Sequence, residues 1–141
     1  MSLLDRVAGG SLLNDPEVRE SFADRGTVEE LKARIWADLL PAQKEFVSDE
    51  THRILGYVGG FGSGKSFALA AKAIWLGCSN PGTTAMIAEP SFPMVRSVLI
   101  PAMDLALEKW QVDYDFRLSP QPEYTLKLPT GNVKLLAQSA E

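Results

Sequence analysis

Arg53–Ser66 reads RILGYVGGFGSGKS, and the fold follows from how this stretch is read. Arg53-Ile54-Leu55-Gly56-Tyr57-Val58 has the β-branched, aromatic and aliphatic content of a buried strand. The next eight residues, Gly59 to Ser66, fit the pattern G-x-x-x-x-G-K-[ST] through Gly59, Gly64, Lys65 and Ser66. Ser66-Phe67-Ala68-Leu69-Ala70-Ala71-Lys72-Ala73-Ile74-Trp75-Leu76-Gly77 is rich in Ala and Leu and is predicted to be a helix. Strand, glycine loop and helix together form the context in which this motif holds phosphate. A chance match in a chain of this length has odds of roughly 0.5% from average residue frequencies. A glycine-rich surface loop beside a lysine is the bland alternative, and the flanking elements weigh against it.

The residue types suit the chemistry of a nucleoside triphosphate with Mg²⁺. Glycines allow positive φ and close approach of backbone to phosphate. Successive N–H groups turn inward as an anion nest, and the helix start adds its positive dipole end. The nucleotide-binding residues are therefore Gly59, Gly60, Phe61, Gly62, Ser63, Gly64, Lys65 and Ser66. Lys65 and Ser66 are the catalytic candidates. Lys65 reaches the β- and γ-phosphates, and the Ser66 hydroxyl is the expected Mg²⁺ ligand. Gln43, 16 residues before Gly59, carries an amide able both to donate to and to accept from adenine, which favours ATP. Its ordinary alternative is a solvated glutamine on a helix surface.

Outward from the loop, Asn80-Pro81-Gly82 is a turn and Thr83–Ala88 a second buried strand. Ser91–Trp110 is predicted as a long helix with Pro93 near its start and an interruption at Pro101. VDYDFRL (112–118), YTLKL (124–128) and NVKLLA (132–137) are three strands, the last two joined in a hairpin by the turn Pro129–Asn132. Upstream, Thr27-Val28-Glu29-Glu30 is a capping box opening a helix to about Leu40, with Val28, Leu31, Ile35 and Leu39 on one face. Pro41 begins another helical turn or two. Residues 1–15 are expected to be poorly ordered and Pro16–Asp24 to form a short helix. This order predicts an α/β fold with a mainly parallel core sheet first and an antiparallel pair later.

Composition narrows the setting. The 141 residues are one domain's worth, with 45% hydrophobic and 23% charged residues. No apolar run approaches the ~18–20 residues of a membrane span, and the first twenty residues lack the layout of a secretory signal. One cysteine, Cys78, and one histidine, His52, leave no disulfide framework and no Cys/His metal cluster; an intracellular compartment is the simplest expectation. The net charge of −4 comes without a basic run, so any DNA contact needs a local patch, another domain or an oligomer.

Four stretches together resemble the large terminase subunit of tailed bacteriophages, the ATPase motor that packages DNA into capsids. LLPAQKEFV (39–47) is similar to its adenine-contacting segment, and GYVGGFGSGKSFALA (56–70) to its Walker A strand, loop and helix. TTAMIAEPSFPMVRSVLIPAM (83–103) is similar to its second strand and following helix, and YTLKLPTGNVKLLAQSAE (124–141) to its hairpin. The resemblance implies a P-loop NTPase three-layer sandwich, here incomplete, with N-terminal helices and a C-terminal β-hairpin. It implies ATP and Mg²⁺ as cofactors, and double-stranded DNA, the portal protein and the small terminase subunit as partners. It also implies a homo-oligomeric ring and a place in the host cytoplasm rather than in the mature virion or a membrane. Residues 1–26 would be an N-terminal arm and 27–141 the first part of the ATPase domain.

Two departures stand out. Members of that family often carry an arginine in the Walker A loop where this chain has Phe61. No apolar strand ending in Asp-Glu follows the hairpin, so the Walker B segment and the nuclease domain are absent. The chain is therefore expected to be the N-terminal part of a larger protein that hydrolyses ATP negligibly alone. Glu89, after Met86-Ile87-Ala88, is a weak substitute for the missing acid. The rival readings are another P-loop ATPase such as a helicase-like enzyme or a small kinase, and a non-hydrolysing nucleotide-binding or assembly fragment. Elsewhere the ordinary readings prevail. Trp36, Trp75 and Trp110 are expected in helix packing rather than on nucleic-acid bases, and Arg96 on a solvated face. Cys78 is expected as a small buried hydrophobe, and His52 without a partner. Asp113, Asp115 and Glu123 are expected on an exposed strand face rather than around a metal.

Overall fold

The computed structural model describes residues 25–141; the expectations for residues 1–15 and 16–24 lie outside them. Helix α1 (Val28–Asp38) starts at the foreseen capping box. Thr27 Oγ1 accepts from Glu30 N–H at 3.2 Å and Glu30 Oε2 accepts from Thr27 N–H at 3.0 Å. Leu31 and Ile35 bury its apolar stripe. Helix α2 (Pro41–Ser48) begins on proline, whose missing N–H costs nothing at a helix start. Helix α3 (Lys65–Ser79) buries Ala68, Ala70, Ala71, Ile74 and Trp75. Strand β1 (Thr84–Glu89) follows after a tight turn at Gly82 (φ +77°).

The next helix runs without a break but changes register. A single turn, α4 (Phe92–Met94), leads into a π-helical stretch, Val95–Leu99, and then α5 (Ile100–Lys109). Pro101 has no N–H and would crowd the carbonyl four residues back in an α-helix. The wider π-turn just before it accommodates both problems, so the expected interruption takes the form of a bulge.

Strands β2 (Asp113–Arg117), β3 (Glu123–Leu128) and β4 (Gly131–Ser139) complete an open sheet in the order β1-β4-β3-β2. β3 and β4 form the expected hairpin with Leu128 opposite Gly131, and β4 runs parallel to β1 with Ile87 opposite Ala137. The sheet corrects two expectations. It is mixed, with one parallel pairing (β1 with β4) and two antiparallel ones, rather than mainly parallel. Arg53–Val58 is not a strand; it lies outside the sheet with Ile54 89% and Val58 99% exposed.

One face of the sheet is the core. Ile87, Ala137, Leu135, Tyr124, Leu126 and Val133 point to it and are buried under α3, α5 and the π-stretch. The opposite file, Met86, Leu136, Thr125 and Lys134, is not buried. Long-range polar ties hold the helices in place. Trp110 Nε1–H donates to Asp38 Oδ2 at 2.8 Å, and Arg34 Nε–H to the Trp110 carbonyl at 3.1 Å. The Tyr124 hydroxyl donates to Asp104 Oδ1 at 2.7 Å; with burial as the larger cause, this holds the phenol well above its ordinary pKa. Cys78 is buried, as foreseen, and burial pushes its thiol pKa up.

Candidate functional site

The glycine loop sits at the N-terminus of α3. The C-terminal end of that helix lies at the β3–β4 turn, where Thr130 Oγ1–H donates to the Cys78 carbonyl at 2.9 Å. β4 and its parallel partner β1 both start at that end of the sheet. Since α3 runs back over them, the loop is carried towards the carboxyl ends of the two parallel strands. In open α/β sheets this is where ligands bind.

The loop's backbone is the kind that phosphate binding needs. Gly62 and Gly64 have φ of +76° and +78°, and Gly64 is the N-cap of α3. The first helical bond runs from Ala68 N–H to the Gly64 carbonyl at 2.9 Å, so the N–H groups of the first turn have no acceptor within the helix. At Gly59 a side chain would collide with the Ser63 hydroxyl, whereas at Gly60 and Gly62 a Cβ would meet only open space. The Ser63 Oγ is buried and has no hydrogen-bond partner. Lys65 Nζ donates to the Gly59 carbonyl at 2.6 Å, which folds the lysine back over the loop. Phe61 stands fully exposed at the loop tip and brings no positive charge.

Gln43 comes from α2, yet it lies against this loop. It is 3% exposed, not on a solvated surface. Its Oε1 accepts from the Leu40 N–H at 2.9 Å and its Nε2 donates to the Gly64 carbonyl at 3.1 Å. The amide therefore braces the N-cap of α3 against the start of α2. A Cβ at Gly64 would lie 2.6 Å from Gln43 Nε2, so the close approach and the left-handed φ both demand glycine. The sequence marked Gln43 but not this bracing duty.

Lys72 is a residue that sequence reasoning passed over. It is 7% exposed, and its ammonium donates to the Val47 carbonyl at 3.1 Å and to the Asp49 carbonyl, closing the C-terminal end of α2. Burial lowers its pKa, while Asp49 and Glu50 oppose the shift. The signal was present: a lysine on the same helix face as Leu69, Ala73 and Leu76 has to find an acceptor. His52 also has a partner after all. Its Nδ1 lies 2.6 Å from Asp49 Oδ2, and Asp49 Oδ1 accepts from the N–H groups of Thr51 and His52. Hydrogen bonds from the His52 and Thr51 backbone hold the Asp49 pKa well below the usual carboxylate range.

The remaining candidates stay apart from the loop. Trp110 is buried, whereas Trp36 is 41% exposed and rests against Trp75 at 6.1 Å between ring centroids. Arg96 is exposed with its guanidinium over the Phe92 ring. Glu123 is buried rather than on an exposed face and pairs with Arg117 at 2.7 Å, while the exposed Asp115 pairs with Lys127 at 3.5 Å, so these strand acids serve cross-strand ion pairs. Among the described residues there is no group of three His, Cys, Asp or Glu able to hold a metal ion. Ser66, in the first turn of α3, carries the one hydroxyl expected to hold Mg²⁺. No helix among the described residues is long and apolar enough to cross a membrane. Compared with protein-family models, with curated proteins and with solved structures, the chain matches none.

Proposed function

We propose that this chain carries the ATP-binding segment of a DNA-packaging motor ATPase, with a three-layer P-loop sandwich as its architecture. The observation that carries the nucleotide part is the loop at α3. Two left-handed glycines, an orphaned Ser63 hydroxyl and a folded-back Lys65 surround a free helix N-terminus. A triphosphate supplies anionic oxygens to the N–H groups of the first turn and to the Ser63 hydroxyl. The loop N–H groups hold the phosphates, Lys65 exchanges the Gly59 carbonyl for a phosphate oxygen, and Ser66 ligates the accompanying Mg²⁺. Gln43 holds the loop's last glycine, and the resemblance implies an adenine contact for it. The packaging role rests on the resemblance of the four stretches named above. It carries with it DNA, portal and small-subunit partners and a ring of subunits.

Bound Mg²⁺ would neutralise charge on the phosphates. Phosphoryl transfer to water also needs a group that positions the water, and residues 59–66 contain no acid. On this reading the chain binds Mg·ATP, and residues 59–66 alone do not supply the group that positions the water. Titration calorimetry with Mg·ATP tests this. Lys65→Ala removes a charge-assisted bond of ~1.5–3 kcal/mol and weakens binding by about 10–150-fold. Unchanged affinity in that variant would end the P-loop reading. Rapid turnover by this chain, abolished in Lys65→Ala, would end the reading of it as half of a catalytic site.

A further inference from the structure

At the end of α3 away from the glycine loop, a small polar cleft opens between α1 and the strand pair β2–β3. Arg25, just ahead of α1, marks its position: its Nη1–H groups donate to the Leu128 carbonyl at 3.1 Å and to Asn132 Oδ1 at 2.9 Å, beside the β3–β4 turn. The same turn holds the last residues of α3 through Thr130 and the Cys78 carbonyl. Arg25, Arg34 and Lys127 line the cleft together with Gln111 and one acid, Asp113. Its volume of about 40 Å³ has room for about three waters. That is the size of one tetrahedral oxyanion and too small for a nucleotide.

We infer that this cleft is an oxyanion site that takes a phosphate group, either free or as the monoester of a small molecule. Three observations carry the assignment. The first is charge. Three cationic side chains meet one lining acid, in a chain whose net charge is −4, so the cleft is a local positive field on an acidic protein. Asp113 lies opposite Lys127 in the strand register, and Lys127 Nζ is 3.5 Å from Asp115 Oδ2. Counting Asp115 as well, the cations still outnumber the acids. The Lys127–Asp115 pair is exposed, so a phosphate in the cleft displaces it at little cost. Burial lowers the Arg25 pKa while Asp113 opposes the shift, which sets this charge partly out of water.

The second is unused donors. Arg34 Nε–H donates to the Trp110 carbonyl at 3.1 Å, which fixes the guanidinium at the cleft. Its two Nη groups donate to no protein group among the described residues, and a guanidinium grips two phosphate oxygens at once. The third is Gln111. Helix α5 closes in a Schellman motif: Gln111 N–H donates to the Glu108 carbonyl at 3.2 Å and Val112 N–H to the Leu107 carbonyl at 2.9 Å. Gln111 takes the left-handed position of that motif, at φ +56°, where glycine fits and an L-residue is strained. Its side-chain amide is exposed at the cleft and makes no hydrogen bond among the described residues. Strain kept for a side chain that ties nothing together points to a ligand. This goes beyond the nucleotide reading and does not depend on it.

Nitrogen-resolved NMR of the intact chain tests the inference, with inorganic phosphate as the probe and chloride at matched ionic strength as the control. The Arg34 Nε–H and Gln111 side-chain amide signals report the cleft, and the Gly62 and Gly64 amides report the glycine loop. Phosphate is expected to shift the cleft signals saturably, chloride is not, and Lys65→Ala is expected to leave this response unchanged. Gln111→Gly is expected to melt higher without phosphate, because the left-handed strain is relieved, yet to bind phosphate about 10-fold or more weakly at the Arg34 signal. Arg34→Gln is expected to abolish the saturable shift of the Gln111 amide. Glycerol 1-phosphate distinguishes the sources: binding as tight as phosphate or tighter at the same signals assigns the site to a monoester, and weaker binding to the free ion. Shifts that follow ionic strength alone, or full phosphate affinity in Gln111→Gly, would overturn the inference.

Discussion

Gln43 is where a structural and a chemical role can be told apart. Its side chain bridges the Leu40 N–H at 2.9 Å and the Gly64 carbonyl at 3.1 Å, which also accepts the first helical bond of α3 from Ala68. Gln43→Leu keeps the volume and removes both bonds. The orphaned Leu40 N–H costs ~1–3 kcal/mol when buried. Its surroundings are partly buried, so the low end applies; the lost bond to the Gly64 carbonyl adds ~0.5–1.5 kcal/mol, and the sum is about 2 kcal/mol. For a domain of this size that lowers Tm by about 6–10 °C. Gln43→Glu is the sharper variant. One oxygen still accepts from Leu40, while the other faces the Gly64 carbonyl. Only the protonated acid can donate there, so the folded state raises the glutamate's pKa above its unfolded value. The stabilising contact is present below the unfolded pKa and lost as pH rises through the folded one. Urea denaturation at pH 4.5 and pH 7.5 reads this as a gap between Gln43→Glu and the unaltered chain that widens with pH. Binding then separates the roles. A brace loosens the loop for every phosphate ligand, so Gln43→Leu weakens ATP and inorganic tripolyphosphate by the same factor. An adenine reader weakens ATP alone. A cost under about 0.5 kcal/mol for Gln43→Leu, together with a pH-independent Gln43→Glu, would refute the bracing argument.

Two further perturbations follow from the same neighbourhood. Lys72→Met strips the donors from two carbonyls at the end of α2 and is expected to cost about 2 kcal/mol at pH 7, read by thermal melting. Burial holds the Lys72 pKa below 10.5 in the folded state, so the charge penalty persists below the folded pKa and is relieved as pH rises towards the unfolded one. The unaltered chain therefore gains on Lys72→Met between pH 7 and pH 10; a gap that narrows over that range would contradict this. Gly62→Ala and Gly64→Ala both force an L-residue into positive φ, at about 1–2 kcal/mol each. Only the second crowds Gln43, so it should melt lower than Gly62→Ala, and equal melting temperatures would argue against the Gln43–Gly64 contact.

Local signals in the sequence carried most of the fold. The Thr27 capping box, the Pro41 helix start, the Ala/Leu helix after Ser66 and the Pro129–Asn132 turn are each set by residues within a few positions of one another. What sequence could not give depends on distant partners. The strand composition of Arg53–Val58 is a propensity, and a strand needs an edge to pair with; among the described residues β1 is paired with β4 alone. The loop was legible residue by residue because its glycines act on their own backbone. The contact of Gln43 with Gly64 spans 21 positions and that of Lys72 with Val47 spans 25, beyond any periodicity. Trp36 and Trp75 meet although they are far apart in sequence, a packing that composition alone does not encode.

The folded-back Lys65 has a consequence for how the loop responds to ligands. Its ammonium already has an acceptor in the Gly59 carbonyl, so an incoming anion does not fill a waiting vacancy; it competes in an exchange. Only an acceptor stronger than a peptide carbonyl wins, which means one with full negative charge. The loop thereby carries its own threshold. On the proposed phosphate-binding reading, neutral and weakly polar molecules that drift into the cradle would leave the lysine where it is, and release of phosphate would return it to the carbonyl six residues back along its own chain.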